Sequence, residues 1–134
     1  LFYYMFKTKK EIELFYSGIE FFNVNDYENA HREWEVLWKI MGHKPGRLGL
    51  KVFLQLTGVY KNIVLSKWDA VRYGIRVATQ RLSENSLSIS PWVEVVSIES
   101  FLSKYENIKI SLKSFDELIL IKKRDSARKD LEAK

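Results

Sequence analysis

The chain has 134 residues, 46% of them apolar and 14% aromatic, enough for one compact domain and too few for two ordinary ones. It holds no cysteine, which excludes a disulfide framework, a thiolate metal site and a thiol nucleophile, and fits a reducing, cytoplasmic setting. The net charge of +5 is unevenly spread: Lys122, Lys123, Arg124, Arg128, Lys129 and Lys134 put +3 of it in the tail, so the body is nearly balanced and a nucleic-acid role is disfavoured.

The opening apolar run, Leu1 to Phe6, precedes Lys7, Lys9 and Lys10, the reverse of a signal peptide's order. No apolar run approaches the ~20 residues of a membrane span. Ile12, Phe15, Ile19 and Phe22 recur at helical spacing, predicting a first helix from about Lys9 to Phe22 that stops at Asn23-Val24-Asn25. Asn25 with Glu28 resembles a capping box, which starts a second helix from Asp26 to about Met41. Gly42 and Pro45-Gly46 then make GHKPGR a loop, where basic side chains and a following helix start could hold an anion.

From Arg47 to Leu65 apolar residues cover most directions round the axis, predicting the central, most buried helix. Ser66 and Asp69 match a helix-start signal, and Trp68, Val71, Ile75, Ala78 and Leu82 form the stripe of a fourth helix ending near Leu82. Ser83 to Ser90 reads as a loop. Ser90-Pro91 reads as an N-cap and first-turn pair for a fifth helix carrying Trp92, Val95, Ile98, Leu102 and Tyr105. Beyond it, Ile108, Ile110 and Leu112 alternate as in a strand and Leu118 to Ile121 are continuously apolar, so a small hairpin and a last irregular helix both fit. The predicted fold is an all-α, compact bundle of about five helices over residues 1–105, with an appendage and basic tail over 106–134.

On the second helix His31 and Glu35 sit one turn apart beside the apolar stripe of Tyr27, Ala30, Trp34, Leu37, Trp38 and Met41. On the central helix, at 100° per residue from Leu54, Gly58, Lys51, Asn62 and Gln55 fall within about 40° to 100°. Two polar edges beside two apolar stripes can face each other. The candidate cleft therefore comprises His31, Glu35, Trp38, Lys51, Gln55 and Asn62, with Gly58 admitting a neighbouring helix or leaving room for a ligand. His31 oriented by Glu35 suits acid/base work, Lys51 suits an anion, and Gln55 and Asn62 offer directed hydrogen bonds. The same groups could instead satisfy one another in a network that only fixes helix register.

His31 and Glu35 are two metal donors where a catalytic zinc needs three, and His43 lies in a loop, so no metal or other cofactor is expected. No Ser-His-Asp order, glycine-rich phosphate loop or paired-carboxylate signature is present. Arg72 and Arg76 read as a solvated face, and the four tryptophans as core.

The pattern formed by Phe22, Asn23, Tyr27, Ala30, His31, Trp34, Glu35, Leu37 and Trp38 resembles the opening signature of domain of unknown function 309, an uncharacterised family. Leu54-Gln55 through Tyr60 to Ala70 is similar to that family's following helix, so the resemblance covers about Phe15 to Leu82. It implies an all-helical fold and a shared cleft round the His, Glu and Gln positions, and it supplies no activity. This chain departs from the pattern with Arg32 in place of a glutamate and Lys51-Val52 in place of a Gln-Gly pair.

Three functions follow as expectations. The first is binding, either of a small polar or anionic ligand in the cleft or of a protein partner. The second is hydrolysis or proton transfer, with His31 as general base, Glu35 as its orienting group and Lys51 as anion stabiliser. The third is nucleic-acid binding, which requires Lys9, Lys10, Arg72, Arg76 and the tail to share one surface. The aromatic content also leaves room for a homodimer over an apolar patch.

Overall fold

The computed structural model describes residues 5–106 and 118–122. Five helices follow in order: α1 (Lys9–Asn23), α2 (Tyr27–Met41), α3 (Arg47–Val64), α4 (Trp68–Ile89) and α5 (Val95–Glu106). Among the described residues there is no β-strand, only a single antiparallel bridge between Val93 and Lys122. Each helix packs on the next, α1 on α2, α2 on α3, α3 on α4 and α4 on α5, forming a compact bundle round one aromatic core. No helix among the described residues is long and apolar enough to cross a membrane.

α1 begins in a full capping box: the Glu11 N–H donates to the Thr8 hydroxyl, and the Glu11 carboxylate accepts from the Thr8 and Lys7 N–H groups. Glu11 is fully buried, and its other oxygen accepts from Lys44 Nζ at 2.5 Å. One carboxylate thus joins the start of α1 to the α2–α3 loop.

α1 and α2 meet where Trp34 lies on Gly18. A Cβ at Gly18 would stand 2.1 Å from Trp34 Nε1, so only glycine admits the indole there. The indole N–H donates to the Phe15 carbonyl at 3.0 Å, giving the buried ring both packing and a satisfied polar group. Phe15, Phe22 and Phe53 surround it.

The start of α2 differs from the sequence expectation by one residue. Asp26 is the N-cap, accepting from the Asn29 N–H at 3.2 Å, while Asn25 adopts φ 65°, the left-handed conformation that asparagine tolerates and that reverses the chain between the helices. The predicted loop at Ser83 to Ser90 is mostly helix, because α4 continues to Ile89. The stripe through Ala78 and Leu82 carries on to Ile89, which is buried beside Gly49 of α3. Asn85 and Ser88 lose their usual preference for loops by turning their side chains onto the carbonyls of Arg81 and Asn85. Ser90 consequently closes α4 instead of opening α5, and the turn through Pro91 carries the buried Trp92 against Phe6. At the start of α4, Ser66 takes φ 57° and no side chain caps the helix, so the predicted Ser66 cap is not formed.

Residues 118–122 run extended, with Leu118 and Leu120 buried and Ile119 and Ile121 exposed. Asn23 holds them as a neighbouring strand would: its Nδ2 donates to the Leu120 carbonyl at 2.9 Å, and its Oδ1 accepts from the Leu120 N–H at 2.8 Å. The Leu118 N–H donates to the Tyr60 hydroxyl, and the Glu94 N–H to the Ile121 carbonyl, both at 2.9 Å. The other half of the sequence-predicted hairpin, 108–112, lies outside the described residues, as does the tail beyond Lys122.

Gly18→Ala is expected to destabilise the protein by about 2–3 kcal/mol in urea denaturation, since the indole and α1 cannot both keep their places. Asn23→Ala should cost about 1–2 kcal/mol and abolish hydrogen-exchange protection of the Leu120 amide while leaving the α3 amides protected.

Candidate functional site

A groove of about 730 Å³ opens between the first half of α2 and the second half of α3. α2 contributes Tyr27, Glu28, His31, Arg32 and Glu35 to its lining, with Asn25 and Asp26 from the preceding turn. α3 contributes Thr57, Gly58, Tyr60, Lys61 and Val64, and Leu65 follows. The two helices run antiparallel here, so the start of α2 faces the end of α3.

His31 and Glu35 meet as their spacing predicts. Glu35 Oε1 lies 2.5 Å from His31 Nε2, with side-chain exposures of 42% for the histidine and 52% for the glutamate, so the pair stands at the groove surface and is reached by solvent. The second partner of the ring is Thr57, whose Oγ1 lies 2.8 Å from Nδ1. The Thr57 hydroxyl donates its only proton to the Leu54 carbonyl at 2.6 Å, so it accepts from the ring, and Nδ1 carries a hydrogen. With Nδ1 committed to Thr57, Nε2 is the nitrogen turned to Glu35. Both ring nitrogens are occupied. A contact this exposed contributes at most about 1 kcal/mol, which makes orientation of the ring, more than stability, its main effect.

Thr57 was not among the sequence candidates. Its signal is a lone aliphatic hydroxyl in an otherwise apolar segment of α3, where a threonine is readily read as a β-branched filler.

The remaining candidates lie elsewhere. Gln55 and Thr57 are two residues apart, hence about 200° apart round the helix axis. With Thr57 against α2, Gln55 falls on the α4 side, and its Nε2 would stand 3.2 Å from a Cβ placed on Gly74. Asn62, Lys51 and Trp38 also lie outside the groove lining. Lys51 is beside Trp38, its Nζ 5.3 Å from the ring centroid, and Arg47 covers the same ring at 3.7 Å. The polar strip of α3 is thus its solvent-facing side between α2 and α4, and only Gly58 of that strip enters the groove. Among the described residues a Cβ at Gly58 would meet nothing within 4 Å, so this glycine serves no approach of the described helices and leaves space open at the level of His31 and Thr57.

The walls combine aromatic and charged groups. Tyr27 and Tyr60 stack with centroids 4.3 Å apart and planes 6° apart, closing one end. Arg32 pairs with Glu28 at 2.6 Å along α2. Lys61 has no ion-pair partner among the described residues and is exposed at the groove. Among the described residues no three His, Asp or Glu side chains converge as a metal would require, and His31 with Glu35 remains a two-donor set. In the GHKPGR loop Lys44 is taken by Glu11 and Arg47 by Trp38.

Compared with protein-family models, curated proteins and solved structures, the chain gives no match.

Thr57→Val removes the acceptor for Nδ1 and keeps the shape of the side chain. A loss of about 1 kcal/mol is expected, and the His31 Nδ1–H resonance should disappear from the low-field proton spectrum through exchange with water.

Proposed function

We propose that this chain is a small-molecule binding domain, holding a polar ligand in the α2–α3 groove. The observation that supports this best is Gly58. A glycine inside a helix costs about 0.5–1 kcal/mol relative to alanine, and here no neighbouring atom among the described residues requires it. What it does maintain is open space beside an oriented, solvent-reachable imidazole. A ligand in that space would meet the free oxygen of Glu35, the ammonium of Lys61 and the edge of the Tyr27–Tyr60 stack. The likeness of the Phe22–Trp38 pattern to domain of unknown function 309 belongs to the same proposal, as does a cytoplasmic setting for a chain without cysteine.

The proton-transfer alternative is less well supported, because a general base needs a ring nitrogen aimed at substrate and both are engaged. The nucleic-acid alternative has Lys9 and Lys10 on α1 and Arg72 and Arg76 on α4, helices that do not pack as neighbours, and Arg72 is held by Asp69.

Two substitutions at one position test the binding reading. Gly58→Ala should raise stability by about 0.5–1 kcal/mol. Gly58→Leu should keep the helical circular dichroism spectrum and abolish the amide shifts that small polar compounds from a screen induce at Thr57 and Lys61. A screen that moves neither amide in the wild-type protein, or a leucine variant that binds the same compounds equally well, would count against the groove as a binding site.

A further inference from the structure

We propose that Arg47 and Lys51, gathered round Trp38, form a site for the phosphate group of a small phosphorylated molecule. This rests on the reading of the α2–α3 face as ligand-binding and gives that ligand its charged end. The Arg47 guanidinium carbon lies 3.7 Å from the Trp38 ring centroid, and Lys51 Nζ lies 5.3 Å from it. Two full positive charges therefore share one indole within a helical turn.

Neither cation has a carboxylate within ion-pair distance among the described residues, although Arg32, Lys44, Arg72 and Lys122 all do. Arg47 Nε is buried without a hydrogen-bond partner among the described residues, so stacking on the indole, and no hydrogen bond within that part of the protein, positions the guanidinium. The ring offsets part of a cation's charge but accepts no directed hydrogen bond. The terminal nitrogens of Arg47 and the ammonium of Lys51 thus keep their donors for a ligand. A phosphate dianion matches this set: two charges against two, a planar fork for two oxygens and a point charge for the third. A carboxylate would balance only one of the cations.

The position also fits the groove. Arg47, Lys51, Gly58 and Lys61 lie within about 80° of one another round α3, on its solvent-facing side. Gly58 is about two turns beyond Lys51, roughly 10 Å by helical rise. A phosphate ester of that length anchored at Trp38 would lay its body over Gly58, with Glu35 on the facing helix between the two ends.

The test follows the arginine Nε–H resonances and the backbone amides of the full chain by nitrogen-15 NMR. Inorganic phosphate is the probe, titrated against chloride at matched ionic strength. A saturable shift of the Arg47 Nε–H is expected, absent with chloride and weakened about tenfold or more in Lys51→Met, which keeps the side-chain stem and removes the charge. Backbone amides of α3 away from residue 51 should remain in place in that variant, showing that the fold is intact. A shift that does not saturate, one reproduced by chloride, or one unchanged by Lys51→Met overturns the phosphate site. The groove reading is tested separately at Thr57 and Lys61, so polar compounds that move those amides while phosphate leaves Arg47 unmoved would remove this inference alone.

Discussion

The contact of Trp34 with Gly18 governs the rest of the molecule. The indole can lie on α1 only because residue 18 has no side chain, and its N–H is satisfied only by the Phe15 carbonyl one turn earlier. These two constraints fix both the separation of α1 and α2 and the rotation of α2 about its own axis. Once Trp34 points into the α1 side, the helical period places Trp38, His31 and Glu35 between about 40° and 100° round, toward α3. The groove is in this sense a consequence of where one tryptophan was accommodated.

Much of this was legible in the residues. The helical periods of α1, α2 and α3 are strong and their ends come within one residue of expectation, because Gly42, Pro45 and Gly46 stop the chain where few other residues would. The His31–Glu35 pair follows from spacing alone. Gln55 was misplaced for a specific reason. A helical wheel shows which residues share an edge but not which neighbour that edge meets, and α2 took the Thr57 edge of α3 while α4 took the other. The end of α4 was hidden by composition: serine and asparagine usually favour loops, and here the burial of Ile89 overrides them. Asn23, fixed by Leu120 nearly a hundred residues away, carries no local sign of its partner.

Charge in the body of the protein is allotted by position. Glu11, buried at the start of α1, takes Lys44 and thereby ties down the loop before α3. Gly46 in that loop must stay a glycine, since a Cβ would stand 2.0 Å from the Met5 carbonyl oxygen. With Lys44 used in this way, the loop's basic character reduces to Arg47, and Arg47 is directed onto Trp38. The face that α2 and α3 share thus runs from a basic, tryptophan-centred end to the oriented imidazole at the other.

The clasp that Asn23 makes on Leu120 has a mechanical consequence. In a sheet, lifting one strand breaks a whole ladder and exposes its neighbour's edge; here the piece is fastened to side chains and to the backbone of a turn, with no second strand among the described residues to unravel. Peeling residues 118–122 away would uncover Leu118 and Leu120 yet leave every helical hydrogen bond intact. The chain's last described segment is therefore detachable in a way that none of the five rods is, and the energy holding it resides in a few named groups.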